Sequence, residues 1–109
     1  MKTINIEGRP YPIHFGMAAL SEFCDITDTP IKNLEFLGED IKLGDSIKLV
    51  WCGLKHGARK ELKKFTLTWE DIADFMDTDP EFINDAMNAF GDSMPEQGAK
   101  KKEMKKATD

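Results

Sequence analysis

Cysteine is scarce in this chain. Cys24 and Cys52 stand alone, far apart and outside any CxxC pair. That excludes a disulfide-stapled scaffold and a multi-cysteine zinc site, and reads as two small buried hydrophobes in a reducing compartment. Histidine is as rare: His14 and His56 have no second ligand three or four residues away, so no metal-binding spacing exists. Neither GxGxxG nor GxxxxGK[ST] occurs, which removes the phosphate-cradling loops. Apolar runs last only a few residues, too short to span a membrane. Met1-Lys2-Thr3 opens onto alternating residues rather than an apolar targeting stretch. The expectation is a soluble, intracellular protein.

Basic charge is also short outside the C-terminal end. Residues 1–95 carry 17 acidic and 10 basic side chains, whereas 96–109 carry five lysines against three acids. An acidic body disfavours nucleic acid, whose affinity comes mainly from Lys and Arg on phosphates. The segment 96–109 has almost no apolar content and is expected to be a flexible Lys-rich tail.

What is present suits one globular domain over 1–95. Hydrophobic residues make up 40% and charged residues 32% of 109 residues, enough for one modest core. Ile4 and Ile6 alternate with polar residues, Gly8-Arg9-Pro10 offers a turn, and Tyr11, Ile13 and Phe15 resume the alternation. This predicts a hairpin over 2–15, its second strand kept at an edge by Pro10 and Pro12. A lone hairpin must pack on something, and helices follow.

Met17, Leu20 and Cys24 mark a helix over 17–25. Thr29-Pro30 starts a short one over 30–36, running through Ile31 and Leu34. Ile47, Val50, Trp51 and Leu54 give the strongest stripe, predicting a central helix over 45–56, capped by Asp45 or Ser46 and stopped by Gly57. Ala58–Lys64 reads as a basic, exposed connector. Thr68 and Asp71 form an Asp variant of the capping box for a helix over 68–78, with Trp69, Ile72, Ala73 and Met76 inward. Asp79-Pro80 starts a last helix over 80–90, lined by Phe82, Ile83, Ala86, Met87 and Phe90 and ended by Gly91. The fold class is therefore α+β, mostly helical: an N-terminal β-hairpin packed on a bundle of about four short helices.

Catalysis needs a nucleophile with a base, a metal cluster or a carboxylate pair in a cleft. The sequence supplies none of these. The acids Glu70, Asp71, Asp74, Asp77, Asp79 and Glu81 suit helix caps and a solvated face. Asp77-Thr78-Asp79 fails as a calcium loop, because Phe82 stands where the turn glycine is needed. No catalytic, cofactor or metal residue is assigned. Met17, Met76, Met87 and Met94 lie on or near apolar faces, and methionine-bearing surfaces adapt to varied partners. Tyr11, Ile13, Phe15, Met87, Phe90 and Met94 are the candidate partner-binding residues.

The order of these features resembles the tail assembly chaperones of long-tailed bacteriophages and prophages. Three stretches carry the resemblance: GRPYPIHFG, matching a G-x-x-Y-x-[IL]-x-F-[GT] strand pair; GLKH at a helix end; and LTWEDIAD, matching LT-x-E-x-[IV]-x-D. It covers about Ile4 to Met94. The resemblance implies a non-enzymatic factor of the host bacterial cytoplasm. Such a factor binds the long, aggregation-prone tape measure protein, helps the tail tube protein polymerise around it and is absent from the finished tail. It also implies possible self-association, and a translational frameshift for which the codons of Lys100–Lys102 and Lys105–Lys106 are the candidate slip sites. The alternatives are a structural tail completion or connector protein, or another small intracellular protein-interaction module.

Overall fold

A computed structural model describes residues 2–36 and 41–93, apart from the side chains of 35 and 36. The chain forms an antiparallel hairpin, β1 (Lys2–Ile6) and β2 (Arg9–Ile13), followed by helix α1 (Met17–Thr27) and a 3-10 segment (Ile31–Phe36). Helices α2 (Leu43–Lys60), α3 (Trp69–Thr78) and α4 (Phe82–Asp92) complete it. Among the described residues the α+β class, with a two-stranded hairpin and four α-helices, is therefore observed. The tail 96–109 lies outside the described residues.

Glu7 and Gly8 make the hairpin turn, with φ of 54° and 81°. Two successive positive φ values define the turn type whose twist matches paired strands. Proline is locked near φ −65° and cannot enter such a turn, so the expected Gly8-Arg9-Pro10 turn moves back by one residue. Arg9 and Pro10 become strand, with Ile6 opposite Arg9 and Ile4 opposite Tyr11. A two-residue loop makes Ile6–Arg9 a hydrogen-bonded pair, so Pro10 and Pro12 fall at the alternate sites, their nitrogens turned away from β1. The free edge of β2 thus lacks the donors that proline cannot supply.

Helix α1 starts at Gly16 and ends where Asp28 adopts φ 55°, the Thr29 N–H donating to the Cys24 carbonyl at 3.0 Å. Its inner face is Ala19, Leu20 and Phe23 rather than Met17-Leu20-Cys24. Met17 is 70% exposed, since the first helical residue lies beyond the cover of the core. The next segment winds as a 3-10 helix, which buries Leu34 and leaves Ile31 exposed.

Helix α2 runs from the N-cap Lys42 to Lys60, longer at both ends than the 45–56 pattern. Ser46 is an interior residue whose hydroxyl donates to the Leu43 carbonyl at 2.7 Å. Gly57 does not end the helix. A Cβ there would collide with the Pro12 carbonyl and lie 2.8 Å from Ile13 Cα, and a Cβ on Gly53 would lie 2.6 Å from the Phe15 ring. These two glycines, one turn apart, let β2 and the chain after it lie against the helix, and the His14 N–H donates to the Gly53 carbonyl at 3.0 Å. The helix closes later: Leu62 takes φ 57°, the Leu62 N–H reaches the Arg59 carbonyl at 3.1 Å, and the Lys63 N–H reaches Ala58 at 2.8 Å. This is the Schellman pattern, usually built on glycine.

The capping box at α3 forms as its sequence predicts: Asp71 N–H to Thr68 Oγ1 at 3.2 Å, and Thr68 N–H to Asp71 Oδ2 at 2.8 Å. Trp69 leaves the inner stripe and is exposed, with Lys48 Nζ 5.2 Å from its ring centre. Asp79 does not cap α4. Its Oδ2 accepts from the Glu7 N–H at 2.8 Å, so α4 begins only after Glu81. Thr78 Oγ1 also donates to the Glu7 carboxylate, fastening the hairpin turn to the end of α3. Gly91 sits inside α4, which continues to Asp92. One core joins the layers, with Phe23, Leu49, Val50, Cys52, Ile72 and Ala86 fully enclosed between hairpin and helices.

Candidate partner-binding surface

The expected partner contacts divide on folding. Ile13, Phe15 and Phe90 are 2%, 5% and 2% exposed, so they are core and offer no surface to a partner. Phe15 and Phe90 meet edge to face with ring centres 5.4 Å apart. Strand alternation predicts one buried face, but α2 covers the end of β2 as well, so both Pro12 and Ile13 are enclosed. Met87 is half-buried against the core. Met94 lies outside the described residues. Tyr11 is half-buried and lines an open groove.

That groove has three walls: β2 from Arg9 to Pro12, α2 at Leu54 and Ala58, and the loop Lys63–Leu67. Its volume is about 330 Å3. Pro10, Tyr11, Phe65 and Leu67 give it apolar surface, and its charged residues among those described, Arg9, Lys63 and Lys64, are basic and exposed. The Tyr11 ring is braced by Phe75 at 6.5 Å between centroids. The loop wall is held to α2 by Trp51, whose Nε1–H donates to the Leu67 carbonyl at 2.8 Å while Lys55 Nζ sits 4.9 Å from its ring centre. The sequence marked Ala58–Lys64 only as a basic connector. The signal was there: between 55 and 64 five basic residues meet one acid, in a body otherwise dominated by acids.

Polar chemistry concentrates between α1 and α2. Glu22 accepts from Lys55 Nζ at 2.8 Å and pairs with His56 Nε2 at 2.7 Å, and Arg59 Nε donates to His56 Nδ1 at 3.2 Å. His56 is buried, within α2. With Nδ1 accepting from Arg59, the neutral ring donates from Nε2 to Glu22. Burial alone would raise the Glu22 pKa, but the hydrogen bonds from Lys55 and His56 outweigh it and hold the carboxyl below its ordinary value. Both imidazole nitrogens are thus engaged, leaving none to activate the Cys52 thiol one turn away. Burial, with Glu22 adding to it, pushes that thiol up to about 12, opposite to a nucleophilic cysteine. The cluster works as a clasp between two helices.

A smaller cleft beside Ile13 and Phe15 is flanked by the Lys2–Asp92 ion pair, whose Nζ–Oδ2 distance is 2.6 Å. Among the described residues, no three His, Cys, Asp or Glu side chains are grouped to hold a metal ion. No helix among them is long and apolar enough to cross a membrane. Comparison of the chain with protein-family models, curated proteins and solved structures returned no match.

Proposed function

We propose that this protein is a tail assembly chaperone of a long-tailed phage or prophage. In this reading it has no catalytic role. It binds the tape measure protein in the host bacterial cytoplasm, keeps it soluble, promotes assembly of the tail tube protein around it, and is left out of the mature virion. The observation that carries the reading is the open, partly apolar groove at Tyr11, on a small domain that uses Ile13, Phe15 and Phe90 for its own core. Helix-in-groove contact is a common way to cover the apolar face of a partner helix. The resemblance of GRPYPIHFG, GLKH and LTWEDIAD to the chaperone pattern supplies the partner's identity.

Co-expression tests the reading. The tape measure protein encoded beside this chain should move from the insoluble to the soluble fraction when this chain is present, and mass spectrometry of purified tails should not find the chain. Unchanged solubility would refute the proposal. A stoichiometric presence in tails would instead assign the chain to the structural tail proteins.

A further inference from the structure

We propose that the groove between β2, α2 and the Lys63–Leu67 loop receives an acidic amphipathic helix, with an apolar stripe seated on Tyr11 and Phe65 and Asp or Glu side chains meeting Arg9, Lys63 and Lys64. The inference rests on the chaperone reading for the source of that helix, and on the groove alone for its chemistry.

Three observations select this occupant. The first is charge. Among the described residues the groove's charged groups are all cations, and Arg59 and Lys60 at the end of α2 are two more exposed cations. Glu61 pairs with Lys63 at 3.2 Å, but the pair is exposed and weak, so Lys63 stays available. Residues 96–109, with five lysines against three acids, do not complement that charge.

The second is the strand edge. An extended peptide binds a sheet edge through backbone hydrogen bonds, yet the outward positions of β2 are Pro10 and Pro12, which have no N–H to give. The Pro12 carbonyl is turned onto Gly57. Strand addition is therefore closed at this edge, and side-chain anchoring remains, the mode a helix uses. The third is composition. Pro10, Tyr11, Phe65 and Leu67 supply apolar and aromatic contact area, which suits apolar side chains better than a phosphate backbone. Tyr11 and Arg9 also belong to the residue types that dominate binding energy at protein interfaces.

Fluorescence anisotropy on the full chain tests this with fluorescein-labelled peptides of about 20 residues, long enough for several helical turns. One probe carries Leu at i, i+3, i+4 and i+7 flanked by Glu. A second replaces Glu with Lys, a third scrambles the stripe at constant composition, and a fourth probe is a single-stranded oligonucleotide. The acidic striped probe should bind, and the lysine and scrambled probes should bind at least about tenfold more weakly. The double variant Lys63→Glu/Lys64→Glu should lose at least about tenfold in affinity for the acidic probe and gain for the lysine probe. Hydrogen exchange on the unmodified chain should show probe-dependent protection at Lys63–Leu67, a readout that needs no variant to fold.

Equal binding of acidic and lysine probes, preference for the oligonucleotide, or protection confined elsewhere would overturn the proposal. So would a concentration-dependent dimer abolished by the same charge reversal, which would give the groove to a second copy. If the acidic probe fails while co-expression still solubilises the tape measure protein, this inference falls and the chaperone reading stands. The reverse result removes the chaperone reading and leaves the groove's chemistry in place.

Discussion

The Pro12 carbonyl is packed directly onto Gly57, where a side chain would have nowhere to go. This contact joins the strand edge to the last turn of α2, and both of its partners are backbone. Gly57→Ala should therefore destabilise by about 1–3 kcal/mol, although alanine is the better helix former by about 1 kcal/mol. Gly91→Ala is the control: α4 has nothing within 4 Å of that position, so the same change should stabilise by about 0.5 kcal/mol. Urea midpoints of the two variants should move in opposite directions.

Acid should lower stability in two stages. Burial, together with Lys60 and Arg59, lowers the His14 pKa from 6.5, so the folded state binds fewer protons there than the unfolded state. Stability from this source is present above pH 6.5 and lost as pH falls toward the folded pKa. Glu22 is depressed from 4.5, so its contribution is present above that value and lost as pH falls further, through its folded pKa. The urea midpoint measured from pH 8 downward should show both declines. His14→Gln should flatten the first, and Glu22→Gln should flatten the second while costing about 1–3 kcal/mol at neutral pH.

The asymmetry between the cysteines can be read by thiol labelling. Cys52 is fully enclosed, its pKa raised to about 12 chiefly by burial, whereas Cys24 is partly exposed and its thiol only raised, by burial and Asp25. Iodoacetamide at pH 8 should modify Cys24 first and reach Cys52 only on the timescale of unfolding. Peptide mass spectrometry over a time course would detect the order, and equal rates would contradict the packing of α1 on α2.

Local chemistry was the legible part of the sequence. The capping box at Thr68 and Asp71, the alternation at Ile4 and Ile6 and the stripe Ile47-Val50-Leu54 all depend on neighbours within a turn or two, and each predicts its observed element. What the sequence concealed was tertiary use of the same residues. Gly57 has the form of a helix stop and serves as a packing site, and Asp79 has the form of an N-cap and holds Glu7 instead. Ile13, Phe15 and Phe90 are indistinguishable in sequence from exposed contacts, because only the approach of α2 and α4 decides that they are buried. The groove was partly legible: Tyr11 was marked from its strand, and the basic run from its charge. Their meeting depends on the α2–α3 loop folding back beside β2, which no local pattern specifies.

Leu62 offers the clearest separation of strain from contact. It is 94% exposed and holds φ 57° at the end of α2, where Cβ crowding makes the left-handed region costly by about 1–2 kcal/mol. Glycine removes that strain and restores the usual Schellman residue, at the cost of a larger entropy loss on folding. Leu62→Gly should therefore stabilise by a net of about 1 kcal/mol, raising Tm by roughly 4–8 °C for a domain of this size. Leu62→Ala keeps the Cβ and the strain while removing the same exposed apolar surface, so its Tm should stay near that of the parent. A rise for both variants would place the cost in exposed apolar surface, and no rise for Leu62→Gly would show that the left-handed turn is not strained. Scanning calorimetry on the three proteins at one pH separates these outcomes.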